Sequence, residues 1–223
     1  MKITDLKCAI IGNYPVVRIT TDAGIDGFGQ AESYKPYLKP FVLFYKELIV
    51  GEDPTDVERV MLNIRRMGSF KPWGAAVSAI EMALWDIAGK AAGIPVYKLL
   101  GGKVRDKVLV YNGAVRKPMA GRSPQDYAEN TAWMLEAKEK FKIVKQGIGY
   151  HSGMPHNVPN FSYGEFEYPV AQNGWWYDII EGLPDPIVVD SFINVWDRPG
   201  LGVTFNVKEA KKHLSDGEGD FFD

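Results

Sequence analysis

At 223 residues the chain has room for one large domain or two modest ones, and either could bury a real core. A hydrophobic fraction of 46% with 24% charged residues is that of a soluble globular protein, and a net charge of -2 leaves no basic footprint for nucleic acid. The apolar stretches fall short of a membrane span, and "KITDLK" after Met1 does not read as a signal peptide, so neither a membrane protein nor a secreted one is expected.

Cys8 is the single cysteine, which excludes an internal disulfide and fits a reducing, cytoplasmic setting. With three histidines and one cysteine, zinc is not the expected metal. An oxygen-bound hard cation such as magnesium is the class that remains.

Taken in chain order, the first thirty residues read as an antiparallel meander. "KITDLKCAII" turns at "GNYP" into "VVRITTD", which turns at "AG" into "IDGFGQAE". Helices follow. "PYLKPFVLFYKELIVG" carries Phe41, Phe44, Tyr45 and Leu48 at helical spacing. "EDPTDVERVMLNIRR" offers Asp53 as N-cap with Pro54 at the first helical position. "WGAAVSAIEMALWDIAGKAAG" is apolar nearly all round, so it must be buried on most sides, and Gly93 stands where a C-terminal glycine cap belongs.

Beyond "LLGGKVRDK" the pattern changes. "VLVYNGAV" predicts a strand, "SPQDYAENTAWMLEAKEKF" a helix capped by Ser123 with Pro124 first, and "KIVKQGIGY" a second apolar strand. Strand, helix, strand is a βαβ unit with a parallel pair. The seam between Gly101 and Lys107 is the expected domain boundary. From His151 onward periodicity fades into a loop rich in Pro, Asn and Gly, then a short strand at "FEYPV" and a terminal helix at "NVKEAKKHL".

Residues 76–101, "AVSAIEMALWDIAGKAAGIPVYKLLG", resemble the signature of the mandelate racemase/muconate lactonizing enzyme group of the enolase superfamily. The match is in register at Glu81, Ala83, Asp86, Gly89, Lys90, Pro95, Leu99 and Gly101. "NVWDRPGLGVTFN" resembles that group's tail, and the likeness leans toward its acid-sugar dehydratases. Read from the residues alone, Glu81 and Asp86 are five apart and share no helical face, so structural roles are expected for both. Trp85 and Met82 read as core.

The resemblance implies an α+β capping domain over residues 1–101, with a tail at 183–223 packing back on it. A partial (β/α)-barrel of the TIM type would occupy residues 102–182, with strands like the first, second and eighth. In such a barrel the chemistry occurs at the C-terminal ends of the strands. The group removes the proton α to a carboxylate, using magnesium to stabilise the enediolate and a lysine or histidine as base.

Lys145 matches the first lysine of the group's Lys-x-Lys motif, and by alternation Phe141, Ile143, Lys145 and Gly147 share one strand face. Gly147 replaces the second lysine and removes a positive charge that would favour the neutral amine of Lys145. The other reading of Lys145 is a lysine snorkelling to a surface carboxylate. Glu167 matches the acid on the eighth strand, and is otherwise an exposed strand-end acid. Tyr14, Tyr34, Trp73 and His151 fall where the group contacts substrate, with His156 in the same loop as His151; each could equally be interface filler or solvated. His213 reads as surface.

The group's metal-binding acids, on strands three to five, are not found, nor is its second base. A complete barrel takes about 250 residues, and fewer than half that many follow Gly101. Strands three to seven are missing between Gly164 and Phe166, which would leave a parallel remnant in the order eight, one, two with two open edges. By resemblance the parent is a magnesium-dependent acid-sugar dehydratase, or a racemase or epimerase, acting on a small acid sugar as a homo-oligomer. A non-catalytic remnant that binds no magnesium is the alternative. A nucleotide-binding domain is a weaker third reading, because no helix pattern follows "GIGYHSG".

Overall fold

The computed structural model describes residues 1–67, 74–113, 117–121, 123–146, 166–168 and 174–223. Its elements begin with β1 (Ile3–Ile11), β2 (Tyr14–Thr21), β3 (Gly27–Gln30), α1 (Leu38–Phe44), α2 (Lys46–Ile49), α3 (Val57–Arg66), α4 (Gly74–Ala92) and α5 (Val96–Leu99). They continue with β4 (Lys107–Asn112), α6 (Pro124–Glu136), β5 (Phe166–Tyr168), β6 (Ile180–Glu181), β7 (Phe192–Asn194), β8 (Thr204–Phe205) and α7 (Val207–Ala210). Two units result: residues 1–103, 177–182 and 197–223 form one, and residues 104–176 and 183–196 the other.

In the first unit β1, β2 and β3 make an antiparallel sheet in that order, as the turn residues predict. Gly12, at φ 60, closes the first hairpin and brings Ile11 opposite Tyr14. The helix α4 lies on this sheet at backbone contact distance. A Cβ added at Gly27 would meet the Ala83 carbonyl oxygen at 2.1 Å, and one at Gly29 would meet that of Ala79 at 2.0 Å. Glycine on the strand and alanine on the helix are therefore what let the two elements touch, and Ile80, Leu84 and Ile87 bury fully in the resulting core.

Asp86 joins three parts of this unit. Its Oδ2 accepts from Lys90 Nζ at 2.6 Å and from the Phe28 amide at 3.2 Å, while Oδ1 accepts from the Leu201 amide at 3.0 Å. One buried carboxylate thus links α4 to β3 and to the returning C-terminal segment, a structural role of the kind its place in the sequence predicts. The segment is held again where Lys39 Nζ meets both oxygens of Glu218 at 2.5–2.6 Å, and where Phe205 stacks on Phe28 with centroids 4.7 Å apart. Glu81 faces Arg65 at 4.0 Å. Cys8 is buried beneath this segment's contacts, and burial pushes its thiol up to about 12.

Several elements differ from the sequence expectation. Asp53 does not cap α3: its Oδ1 accepts from the Thr55 amide and hydroxyl at 2.9 and 2.7 Å, making a local turn, and the helix starts behind Asp56. The buried stripe over α1 and α2 is Leu38, Val42, Tyr45 and Ile49, so Phe44 faces solvent. Met82 is also exposed, whereas Trp85 packs on the core edge. Residues 183–196, expected in the tail on the cap, belong to the second unit because β7 pairs with β4. Among the described residues no helix is long and apolar enough to cross a membrane.

Replacing Asp86 by alanine takes the acceptor from two amides and the ion-pair partner from Lys90, which keeps only the Asp26 carbonyl. The expected loss is about 3–5 kcal/mol of unfolding free energy, read by urea denaturation of the purified chain. A loss below about 1 kcal/mol would contradict the clamp.

Candidate functional site

The second unit is built around β4, whose Val110 and Asn112 are buried. Along one edge it pairs in parallel with β5, setting Val110 opposite Phe166, Tyr111 opposite Glu167 and Asn112 opposite Tyr168. Along the other edge the Val110 amide donates to the Ser191 carbonyl at 2.9 Å. The Asn112 amide donates to Ile143 O at 2.9 Å, and Asn112 O accepts from the Lys145 amide at 2.8 Å. Residues two apart on a strand present their backbone groups to the same side. Ser191 and residues 143–145 therefore share the edge opposite β5, and the order is β5, β4, residues 143–145. Lys145, bonded to Asn112, and Glu167, opposite Tyr111, thus flank adjacent residues at the C-terminal end of β4.

The segment bearing Lys145 makes the expected parallel contact with β4, though over few of its described residues. Only Val144 forms a bridge, to Asn112, and Lys145 itself is exposed. β7 occupies the first half of that edge of β4, pairing antiparallel at Lys107–Leu109. The hairpin that delivers β7 turns at Asp190 and Ser191, both at positive φ (48 and 73), the pairing that suits a two-residue hairpin. Buried Ser191 repays that strain: its hydroxyl donates to Val110 O at 2.9 Å and accepts from the Lys142 amide at 3.1 Å. Its own amide donates to Glu139 O.

From the other side Lys145 is positioned by α6. Gln146 Nε2 donates to Tyr127 O at 3.2 Å and to Thr131 Oγ1 at 2.8 Å. The helix begins as the sequence predicts, with Pro124 first and a reciprocal cap: the Asp126 amide donates to Ser123 Oγ, and the Asp126 carboxylate accepts from the Ser123 amide at 2.7 Å. Lys145 Nζ lies 5.9 Å from the centroid of the Tyr111 ring. Tyr111, Gln146 and Ser191 were not singled out from sequence. Position at the end of a barrel-type strand is the signal that could have found Tyr111.

Tyr14 and Tyr34 lie in the first unit. Their rings are 5.9 Å apart and tilted, Tyr14 buried and Tyr34 49% exposed. Tyr34 has φ 60, a conformation a bulky side chain rarely adopts, and its amide donates to Asn13 O at 2.9 Å. His213 is partly covered, its Nε2 3.4 Å from Glu209 Oε1. Trp73, His151, His156, Gly147 and the junction between Gly164 and Phe166 lie outside the described residues. Among the described residues no group of three or more His, Cys, Asp or Glu side chains could hold a metal ion.

Comparison with known proteins bears on both units. Residues 8–101 match the mandelate racemase / muconate lactonizing enzyme, N-terminal domain. A D-galactonate dehydratase family member from Oceanicola granulosus is 36% identical over 164 residues, which is 70% of this chain and 38% of that protein. A D-xylonate dehydratase from Haloferax volcanii is 39% identical over 149 residues, covering 60% of this chain and 34% of that one. The structure of an enolase superfamily member from Salmonella Typhimurium superposes with a TM-score of 0.57 at 29% identity, over 64% of this chain and 41% of that chain. The chain thus spans well under half the length of these relatives.

The cap of α6 gives a test by pH. Hydrogen bonds from Ser123 hold the Asp126 carboxyl below the usual carboxylate range. A depressed value in the folded state means the stabilisation is present above the ordinary carboxylate pKa and is lost as pH falls through the folded one. In Ser123→Ala the Asp126 titration, followed by carboxyl-carbon NMR, moves upward; an unmoved midpoint contradicts the cap.

Proposed function

The chain belongs to the mandelate racemase/muconate lactonizing enzyme group of the enolase superfamily, and on that premise we propose that its chemistry is acid-sugar dehydration. The fold is that group's α+β capping domain followed by an incomplete (β/α)-barrel. The reaction removes the proton α to the carboxylate of an aldonic acid and expels the β-hydroxyl as water, leaving a 2-keto-3-deoxy acid. The names of the relatives, D-galactonate and D-xylonate dehydratases, support that substrate class.

The observation that carries the reading is the meeting of Lys145 and Glu167 on either side of Tyr111 and Asn112. In a parallel barrel the C-terminal strand ends are where substrate sits. Lys145, as the free amine, takes the α-proton and becomes the ammonium. Glu167 is the acid at the substrate's carboxylate end. By the resemblance Tyr14 and Tyr34 are substrate-contact positions of the capping unit, and the strained backbone of Tyr34, held with its ring half exposed, is the kind of conformation found at ligand clamps. Trp73 and His151 complete the substrate contacts of the resemblance.

Magnesium, in this group, stabilises the enediolate. The described residues do not fit that ion, and no step is routed through it. Protonation of the leaving hydroxyl is likewise assigned to no described residue. A small acid-sugar ligand, a homo-oligomeric assembly and a cytoplasmic setting belong to this proposal.

The experiment is exchange of the C2 proton of D-galactonate or D-xylonate in D2O with magnesium, followed by proton NMR. Wild type exchanges or dehydrates the acid, and Lys145→Ala slows this by about 100-fold or more. Exchange that is unchanged in Lys145→Ala, or absent in wild type, contradicts the proposal.

A further inference from the structure

The middle strand carries a residue that neither the resemblance nor the sequence reading assigned. Tyr111 lies on β4 between the Lys145 segment and β5, directly opposite Glu167 in the register. Asn112 pairs with Val144, so Tyr111 and Lys145, each one residue away from that pair, fall on the same face of the sheet. The ammonium nitrogen of Lys145 lies over the Tyr111 ring at 5.9 Å. Two other lysines, Lys107 and Lys142, lie over the Phe192 ring at 4.2 and 5.5 Å. Lys107, on β4 opposite Asn194, and Phe192, on β7 opposite Leu109, lie along the first half of β4, away from the strand end.

The backbone of Lys145 is fixed by Asn112 O and, through Gln146, by α6, while its four-carbon side chain is exposed. An aromatic face attracts an ammonium through its quadrupole, and this attraction is directional. It also acts on the charged lysine, the form produced when the amine has taken a proton.

The geometry points to Tyr111 as a positioning residue for Lys145, its ring face receiving the ammonium formed at proton abstraction and aiming the side chain along the strand end. This rests on the reading of Lys145 as base, and it assigns Tyr111 no contact with substrate. The ring is what acts, so phenylalanine serves in its place and leucine does not.

The test uses the full chain labelled with 13C-lysine. Tyr111 ring current shifts the Lys145 ε-methylene signal upfield; the signal is assigned by its loss in Lys145→Arg. The shift persists in Tyr111→Phe and disappears in Tyr111→Leu. In wild type a nuclear Overhauser contact joins the Tyr111 ring protons to the Lys145 ε-protons, so the inference stays falsifiable even where Tyr111→Leu does not fold. Absence of that contact, or an ε-methylene signal unmoved in a folded Tyr111→Leu, overturns it. Neither readout needs turnover, which keeps this outcome separate from that of the dehydratase reading. Given turnover, kcat falls about two- to fivefold in Tyr111→Leu at unchanged KM and is restored in Tyr111→Phe. A loss equal in both variants overturns it as well.

Discussion

One strand with two occupied edges organises the part of the molecule that carries chemistry. β4 gives its amides and carbonyls alternately to left and right, as any strand must, and segments far apart in the sequence take them up. β5 lies on one side, and β7 followed by residues 143–145 lies on the other. Lys145 and Glu167 are neighbours of adjacent residues, Asn112 and Tyr111, only because each edge is filled in this way. Ser191 sets the division of the second edge. Its four hydrogen bonds hold the β7 hairpin against β4 and leave the strand end free for Val144 and Lys145.

The capping unit depends on a different constraint, the absence of side chains where α4 meets β3. Gly27 and Gly29 against Ala83 and Ala79 allow backbone approach, and Gly89 meets Gly200 in the same manner, with an added Cβ only 2.7 Å from the Gly200 Cα. Such closeness removes room for water around Asp86, so its oxygens must be satisfied by protein. They are, by Phe28, Lys90 and Leu201. That is the physical content of the family signature. The alanines, glycines and acid of residues 76–101 specify a packed joint and not a reacting site.

Much of this was legible from sequence where local chemistry decides. The meander followed from its turns, Ser123 and Pro124 marked the start of α6, and Gly93, at φ 69, ended α4. Legibility failed where two local options competed or a distant segment intervened. Asp53 and Asp56 both precede α3, and a side-chain turn onto Thr55 claimed the first. In the stripe over α1 and α2, Tyr45 is buried and Phe41 and Leu48 pack on the core, but Phe44, apolar by type, turns to solvent while Leu38, Val42 and Ile49 fill the core. The described part of "KIVKQGIGY" meets β4 only at Asn112, in the parallel sense expected, while β7, from some fifty residues later, covers the earlier half of the same edge, which local composition did not announce. At the site, a lysine among apolar neighbours announces itself by chemistry, whereas Tyr111 on a strand is indistinguishable from packing until its register with Glu167 is known.

The account stands on β4 being the common neighbour of the two proposed reacting groups. A three-dimensional 15N-edited NOESY spectrum of the labelled chain addresses this without a substrate or a metal. The account predicts cross-strand backbone contacts from Asn112 to Val144 and Lys145, and from Tyr111 to Glu167, in one and the same sample. Contacts from Asn112 to Val144 with none between β4 and residues 166–168 would contradict it, because Glu167 would then have no place beside Lys145.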